Sequence, residues 1–259
     1  MSEFVLAKIE VEETAVTVAA GREFIGPAAK SIKSTRLEIE RQIRKDPFFL
    51  TTLEPYDPSP GSPRSIVRMC EAARAAGVGP MASVAGVVAQ QAMEAMAESG
   101  CAHGWVDNGG DISMLAQEPV TVEVFAEPGS SHAVALEVEP NASIIGICTS
   151  SGRVGHSISF GDSDASVVIA RDAVLADALA TAIGNRVKDA ESMKVCFDDF
   201  KGLPGFVAGL VLRDGDAAMF GKVPRIVEVE HNPERVTAHS SMSSSKYTGA
   251  QSRTTEARA

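Results

Sequence analysis

Apolar and polar positions alternate loosely over residues 3–20, with Phe4, Leu6, Ile9 and Val11 followed by Val16 and Val18. This predicts two short strands joined near Glu12–Glu13. Lys33–Lys45 then sets Leu37, Ile39 and Ile43 among Arg, Lys and Glu, the pattern of a surface helix that Asp46-Pro47 ends. Phe48 and Phe49 pin the following chain to the core. Residues 54–63, EPYDPSPGSP, are a breaker-rich connection, either a linker or a loop that lays Tyr56 and Asp57 beside a site. Ser62-Pro63 starts a helix that runs to about Ala76 and stops at Gly77. Gly79-Pro80 starts another almost at once. Met81–Ala97 is apolar except for a line of Ser83, Gln90, Glu94 and Glu98, and Ala82, Ala85, Gly86 and Ala89 leave room for close approach.

From His103 the period shortens. Strands are expected at 103–107, 112–115, 120–125, 132–138, 143–148, 157–160 and 166–170. Ala173–Asn185 (AVLADALATAIGN) is a helix apolar nearly all round, and Asp189–Phe200 is a short one. Phe206–Leu212 and Ala217–Phe220 form a hairpin across Asp214-Gly215, with Arg225–Glu230 a last strand. Strands, helices, many strands, helices and strands in that order predict an α+β fold, as one unit over residues 1–230. From about His231 to Ala259 the chain is polar and rich in Ser, Thr and Arg, and disorder is expected.

The 259 residues suffice for a sizeable core. A net charge of −10 argues against nucleic acid and anionic membrane as partners. No stretch has the apolar length of a membrane span, and the N-terminus lacks the pattern of a signal peptide. Four cysteines, far apart and without a CxxC pair, argue against a disulfide framework or structural zinc. A reducing, cytoplasmic location is expected.

Candidate chemistry lies in four stretches. In Ala173–Asn185 the polar positions Asp177, Thr181, Gly184 and Asn185 fall on one narrow line. A carboxylate and a hydroxyl four residues apart can hold a hard cation such as Mg²⁺, or the line is the solvated edge of a core helix. Gly77–Gly86 (GVGPMASVAG) turns into a helix N-terminus, which favours an anion or is simply a helix corner. Asp107–Asp111 (DNGGD) is a turn whose Gly109 and Gly110 let a ligand approach the backbone. Cys148–Ser157 (CTSSGRVGHS) ends a strand in hydroxyls and glycine, followed by Arg153 and His156. Such a loop wraps a phosphate or makes Ser/Thr turns, and His156 is a candidate general base.

In this order the four stretches resemble the ApbE-like superfamily, whose best known members are FAD:protein FMN transferases. Those enzymes carry a GxIAKG-type helix start, a GGD turn, a TSG loop, a histidine segment and a DALxTA helix. The counterparts here are Gly79-Pro-Met-Ala-Ser83, Asn108-Gly-Gly-Asp111, Thr149-Ser-Ser-Gly152, His156 and Asp177-Ala-Leu-Ala-Thr181. The fuller wording is similar to a cytoplasmic branch of the superfamily from anaerobic bacteria and archaea.

The resemblance implies Mg²⁺ held by Asp177, Thr181 and the carbonyl of Ala82. It also implies FAD or a related nucleotide contacted by Gly109, Gly110, Asp111, Thr149, Ser150, Ser151 and Gly152, and a Thr or Ser acceptor on another protein. Asp177 and His156 are then the candidate catalytic residues. Ser83 stands where the transferases have Lys, and His156-Ser-Ile-Ser-Phe-Gly-Asp162 replaces their His-Ile-x-Asp-Pro-x-Thr-Gly. Two alternatives follow from these departures. One is an auxiliary factor in anaerobic sulfur assimilation, in homocysteine formation, with Cys148 beside the site. The other is a ligand-binding domain without catalysis.

Overall fold

The computed structural model describes residues 3–12, 14–126, 130–152 and 161–231. The N-terminal alternation forms the hairpin β1 (Phe4–Val11) and β2 (Thr14–Gly21), turning at Glu12 with φ 52°. Helix α1 spans Ile25–Lys45, eight residues longer at its start than the charge pattern suggests. Gly26-Pro27 falls in its first turn, where a missing N–H costs no helical bond, so these breakers do not break it. One short turn, α2 (Phe48–Thr51), buries Phe49 but, against expectation, leaves Phe48 exposed, and leads to α3 (Arg64–Ala76), which Gly77 ends in the left-handed conformation. Pro63 is the N-cap of α3 and not its first helical residue, and the Ser62 side chain does not cap it.

Pro80–Ser83 is a 3₁₀ turn, and only from Val84 does it become α4 (Val84–Glu98). The strands that follow are β3 (Gly104–Asp107), β4 (Asp111–Leu115), β5 (Val120–Phe125), β6 (His132–Val138), β7 (Ile145–Ser150) and β8 (Ala165–Ala170). Then come α5 (Ala173–Arg186) and α6 (Ala190–Val195), the latter stopping short of the expected Phe200 because residues 198–200 make a separate 3₁₀ turn. The chain closes with β9 (Phe206–Arg213), β10 (Asp216–Gly221) and β11 (Arg225–Glu230). The strand expected at 157–160 and the tail 232–259 lie outside the described residues. His231 itself is tied down, its ring 2.6 Å from the Glu123 carboxylate.

Eight strands make one sheet in the order β1-β2-β3-β4-β7-β8-β9-β10, and β11-β6-β5 make a second. All described pairings are antiparallel. One face of the large sheet (Val18, Val106, Cys148, Val168, Val211) packs under the helices. Its other face (Met114, Ile147, Val167, Ile169, Leu210) packs on Val122, Val124, Leu136 and Val138 of the small sheet. Strand β8 is covered on both sides, which is why ASVVIA is buried at every position. Helices and antiparallel sheets thus form one compact α+β unit. No single helix among the described residues is long and apolar enough to cross a membrane.

Candidate active site

The site grows from the crossing of α4 and α5. Gly86 lies in the first turn of α4, and a Cβ there would sit 2.3 Å from the Ala173 carbonyl oxygen and 2.8 Å from Asp177 Cβ. Only glycine lets α5 come this near. On the sheet side Gly146 does the same, since its Cβ would fall 2.3 Å from the Ala173 backbone. Helix α5 is therefore seated backbone-to-backbone between α4 and β7, starting from an Asp172 cap whose Oδ1 accepts from Leu175 N at 2.9 Å.

This seating buries Asp177, which is 8% exposed. The polar line of α5 is thus not a solvated edge at this residue. Asp177 Oδ2 accepts the Gly86 N–H at 2.8 Å, and the Ala85 N–H donates to the same carboxylate. Both amides belong to the first turn of α4, where backbone N–H groups lack helical partners and favour negative charge. Burial nonetheless outweighs them and raises the Asp177 carboxyl to about 7.

The DNGGD turn joins β3 to β4, with Gly109 and Gly110 at φ 71° and 102°. Asp107 Oδ1 accepts from Gly110 N at 2.8 Å, and Asn108 Nδ2 donates to the Ala85 carbonyl at 3.3 Å, fixing the turn to the start of α4. Asp111 opens β4 opposite Cys148 of β7. Burial first, and then the charge of nearby Asp177, push the Asp111 carboxyl well above its usual range. Half-buried Asp111 and buried Asp177 thus face one another closely enough for their charges to interact.

Thr149 and Ser150 end β7, and the Thr149 N–H donates to the Gly110 carbonyl at 3.1 Å, so the TSSG and GGD stretches are in direct contact. Gly152 N donates to Ser163 O at 3.0 Å, and a Cβ on Gly161 would strike the Gly184 carbonyl at 1.9 Å. Gly161 thereby sits against the C-terminal end of α5. The structure thus brings Asp111, Thr149 and Asp177 to one region, while Thr181 lies half-buried one turn beyond Asp177. Ala82 sits in the 3₁₀ turn that packs on α5. His156 and Arg153 lie outside the described residues.

Tyr56 and Asp57 have other roles. The Tyr56 hydroxyl donates to Asp46 at 2.7 Å, and Asp57 pairs with Arg74. Ser83 is wholly buried and donates to the Pro80 carbonyl, bracing the 3₁₀ turn. Cys148 is also wholly buried, its thiol directed at the Ala173 carbonyl and raised by burial, which is unlike a reactive thiolate.

Gln90, on the polar line of an otherwise apolar helix, is 3% exposed and joins α4 to β4 and α5. Its apolar neighbours on every side were the available signal.

The donor set fits a divalent cation bound together with a ligand. Among the described residues no group of three or more His, Cys, Asp and Glu side chains could hold a metal, so a wholly side-chain cage is not offered. Mg²⁺ commonly uses one or two carboxylates and completes its shell with water and substrate phosphate. Buried Asp177 and half-buried Asp111, both raised by desolvation, are groups that such a cation would hold ionised.

Comparison with known proteins agrees with this architecture. Residues 6–197 match the family model described as AbpE bacteria. The UPF0280 protein of Methanocella arvoryzae is 42% identical over 231 residues, covering 89% of this chain and 94% of the relative. That of Archaeoglobus fulgidus is 41% identical, covering 89% and 97%. Among solved structures, a point mutant of the flavin transferase ApbE from Vibrio cholerae superposes with a TM-score of 0.54 at 13% identity, covering 85% of this chain and 97% of that one. The ApbE protein of Thermotoga maritima gives 0.51 at 12% identity, with the same coverage. At such identities the structures speak for the fold, and the family model and archaeal relatives speak for kinship: the chain belongs to the AbpE bacteria family, in the UPF0280 branch of the ApbE-like superfamily.

Proposed function

We propose that this protein binds FAD or a related flavin nucleotide together with Mg²⁺, and that flavin transfer to a protein hydroxyl is its nearest chemistry. The observation that carries this reading is the carboxyl pair of half-buried Asp111 and buried Asp177, set where the GGD turn, the TSSG strand end and the first turn of α4 meet. Asp177, Thr181 and the Ala82 carbonyl would hold the cation, which would neutralise pyrophosphate charge and stabilise what builds up as a phosphoanhydride breaks. Gly109, Gly110, Asp111, Thr149, Ser150, Ser151 and Gly152 would contact the nucleotide through backbone amides and hydroxyls. His156 is the proposed base for the acceptor hydroxyl. Ser83 is spent inside the 3₁₀ turn, so its hydroxyl does not replace the lysine of the transferases.

The test is FAD titration of the purified protein with and without Mg²⁺, followed by flavin fluorescence, for wild type, Asp177→Ala and Thr181→Ala. Mg²⁺-dependent binding in wild type that both variants weaken supports the site and justifies a search for the acceptor. No binding under any condition, or variants that bind as wild type does, would sink it.

A further inference from the structure

We infer that Gln90 is a positioning residue, which sets the axial rotation of α5 so that the Asp177 carboxylate lands on the amides of Ala85 and Gly86. Helix α5 is buried at eleven of its fourteen positions and built from small apolar side chains. Burial alone gives such a helix little rotational preference. A rotation by one residue, about 100°, would nevertheless carry Asp177 away from α4 altogether.

The polar contacts that choose one rotation form a circuit around the first turn of α5. Gln90 Oε1 accepts from Ala173 N and from Ser113 Oγ, both at 2.9 Å. Gln90 Nε2 donates to Glu94 Oε1 at 3.0 Å, and the same oxygen takes the Arg68 guanidinium at 2.8 Å. The other end of Arg68 lies 3.7 Å from Asp172, the cap of α5. Both ends of the circuit therefore grip α5 one turn before Asp177. The amide has only one workable orientation here. Reversed, it would point N–H at the Ala173 N–H and its oxygen at the Glu94 carboxylate.

The inference concerns the proposed site, and it rests on the flavin reading only for metal affinity. Its first readout is amide hydrogen exchange of the metal-free protein. Ala85 and Gly86 sit in the first turn of α4, so their protection reports on Asp177 directly. Gln90→Met is expected to lower their protection by about tenfold while later α4 amides keep theirs, and to raise the Mg²⁺ half-saturation for FAD by ~10–100-fold. Gln90→Glu, which sets two carboxylates together, should do the same. Gln90→Glu combined with Glu94→Gln exchanges donor and acceptor at constant charge, and should restore protection.

Unchanged protection in Gln90→Met overturns the assignment. So does failure of the reciprocal pair to fold or to restore protection, which decides the matter if Gln90→Met itself does not fold. If wild type proves indifferent to Mg²⁺ while the exchange results hold, the metal reading fails and the positioning role stands.

Discussion

Gly86→Ala tests the helix crossing on which the site depends. In an exposed helix this substitution stabilises by about 1 kcal/mol, because glycine gives up more backbone freedom on folding. Here the new methyl would lie 2.3 Å from the Ala173 carbonyl oxygen, 2.8 Å from Asp177 Cβ and 2.9 Å from the Ala173 carbonyl carbon. Ordinary carbon contacts are about 3.5–4.0 Å, so α5 must retreat by roughly 1 Å. It cannot do so freely, since Ala173 N is bound to Gln90 and its carbonyl faces the Cys148 thiol. Forcing a methylene-sized group into a packed core costs about 1–3 kcal/mol, and rigid backbone at the contact argues for the upper end. Setting the propensity gain against it leaves a net loss of about 2 kcal/mol. For a chain of this size that lowers Tm by roughly 4–8 °C. Thermal unfolding followed by circular dichroism measures it, and urea unfolding checks that the slope is unchanged. A Tm equal to or above wild type would refute the account of Gly86 as a forced close approach.

Four further outcomes follow from these groups. Asp111→Asn removes one of two crowded carboxyls, so the metal-free protein at pH 8 should melt higher than wild type while Mg²⁺-dependent FAD binding weakens; a lower melting point would mean that Asp111 is held ionised by something else. The Asp177 carboxyl, raised from 3.8 to about 7, keeps its proton in the folded state where the unfolded chain has lost it, so metal-free stability should fall as pH rises between those values; a melting series that rises across this window would contradict the burial argument. Metal binding must displace that proton, so apparent Mg²⁺ affinity should climb about tenfold per pH unit below 7, and a flat profile would remove Asp177 from the ligand set. All four cysteines are free and buried, so a thiol reagent should label none of them until the protein unfolds, and rapid native labelling of Cys148 would reopen a sulfur-chemistry role.

Much of the fold was legible because local signals agreed with tertiary need. The strands at 120–125 and 132–138 end where Pro, Gly and Ser make turns, and the structure keeps those limits. The start of α1 was not legible, because Gly26-Pro27 reads as a break unless one knows it occupies a first turn. Gln90 shows a second kind of loss. In sequence it continues a line with Ser83, Glu94 and Glu98 on an otherwise apolar helix, and the line does not say which of the four is covered. Its burial depends on β4 and α5 arriving from later in the chain.

The same reasoning explains why the polar line on α5 admitted two readings. A carboxylate and a hydroxyl four residues apart look alike whether water or a helix N-terminus faces them. What decides between them is Gly86, 91 residues away, whose missing side chain lets Asp177 reach the amides of α4. The motif AVLADALATAIGN therefore carries the proposed ligand groups but not their environment. A single added methyl at Gly86 would leave that motif intact and still displace its carboxylate, which makes Gly86 as much a part of the site as Asp177.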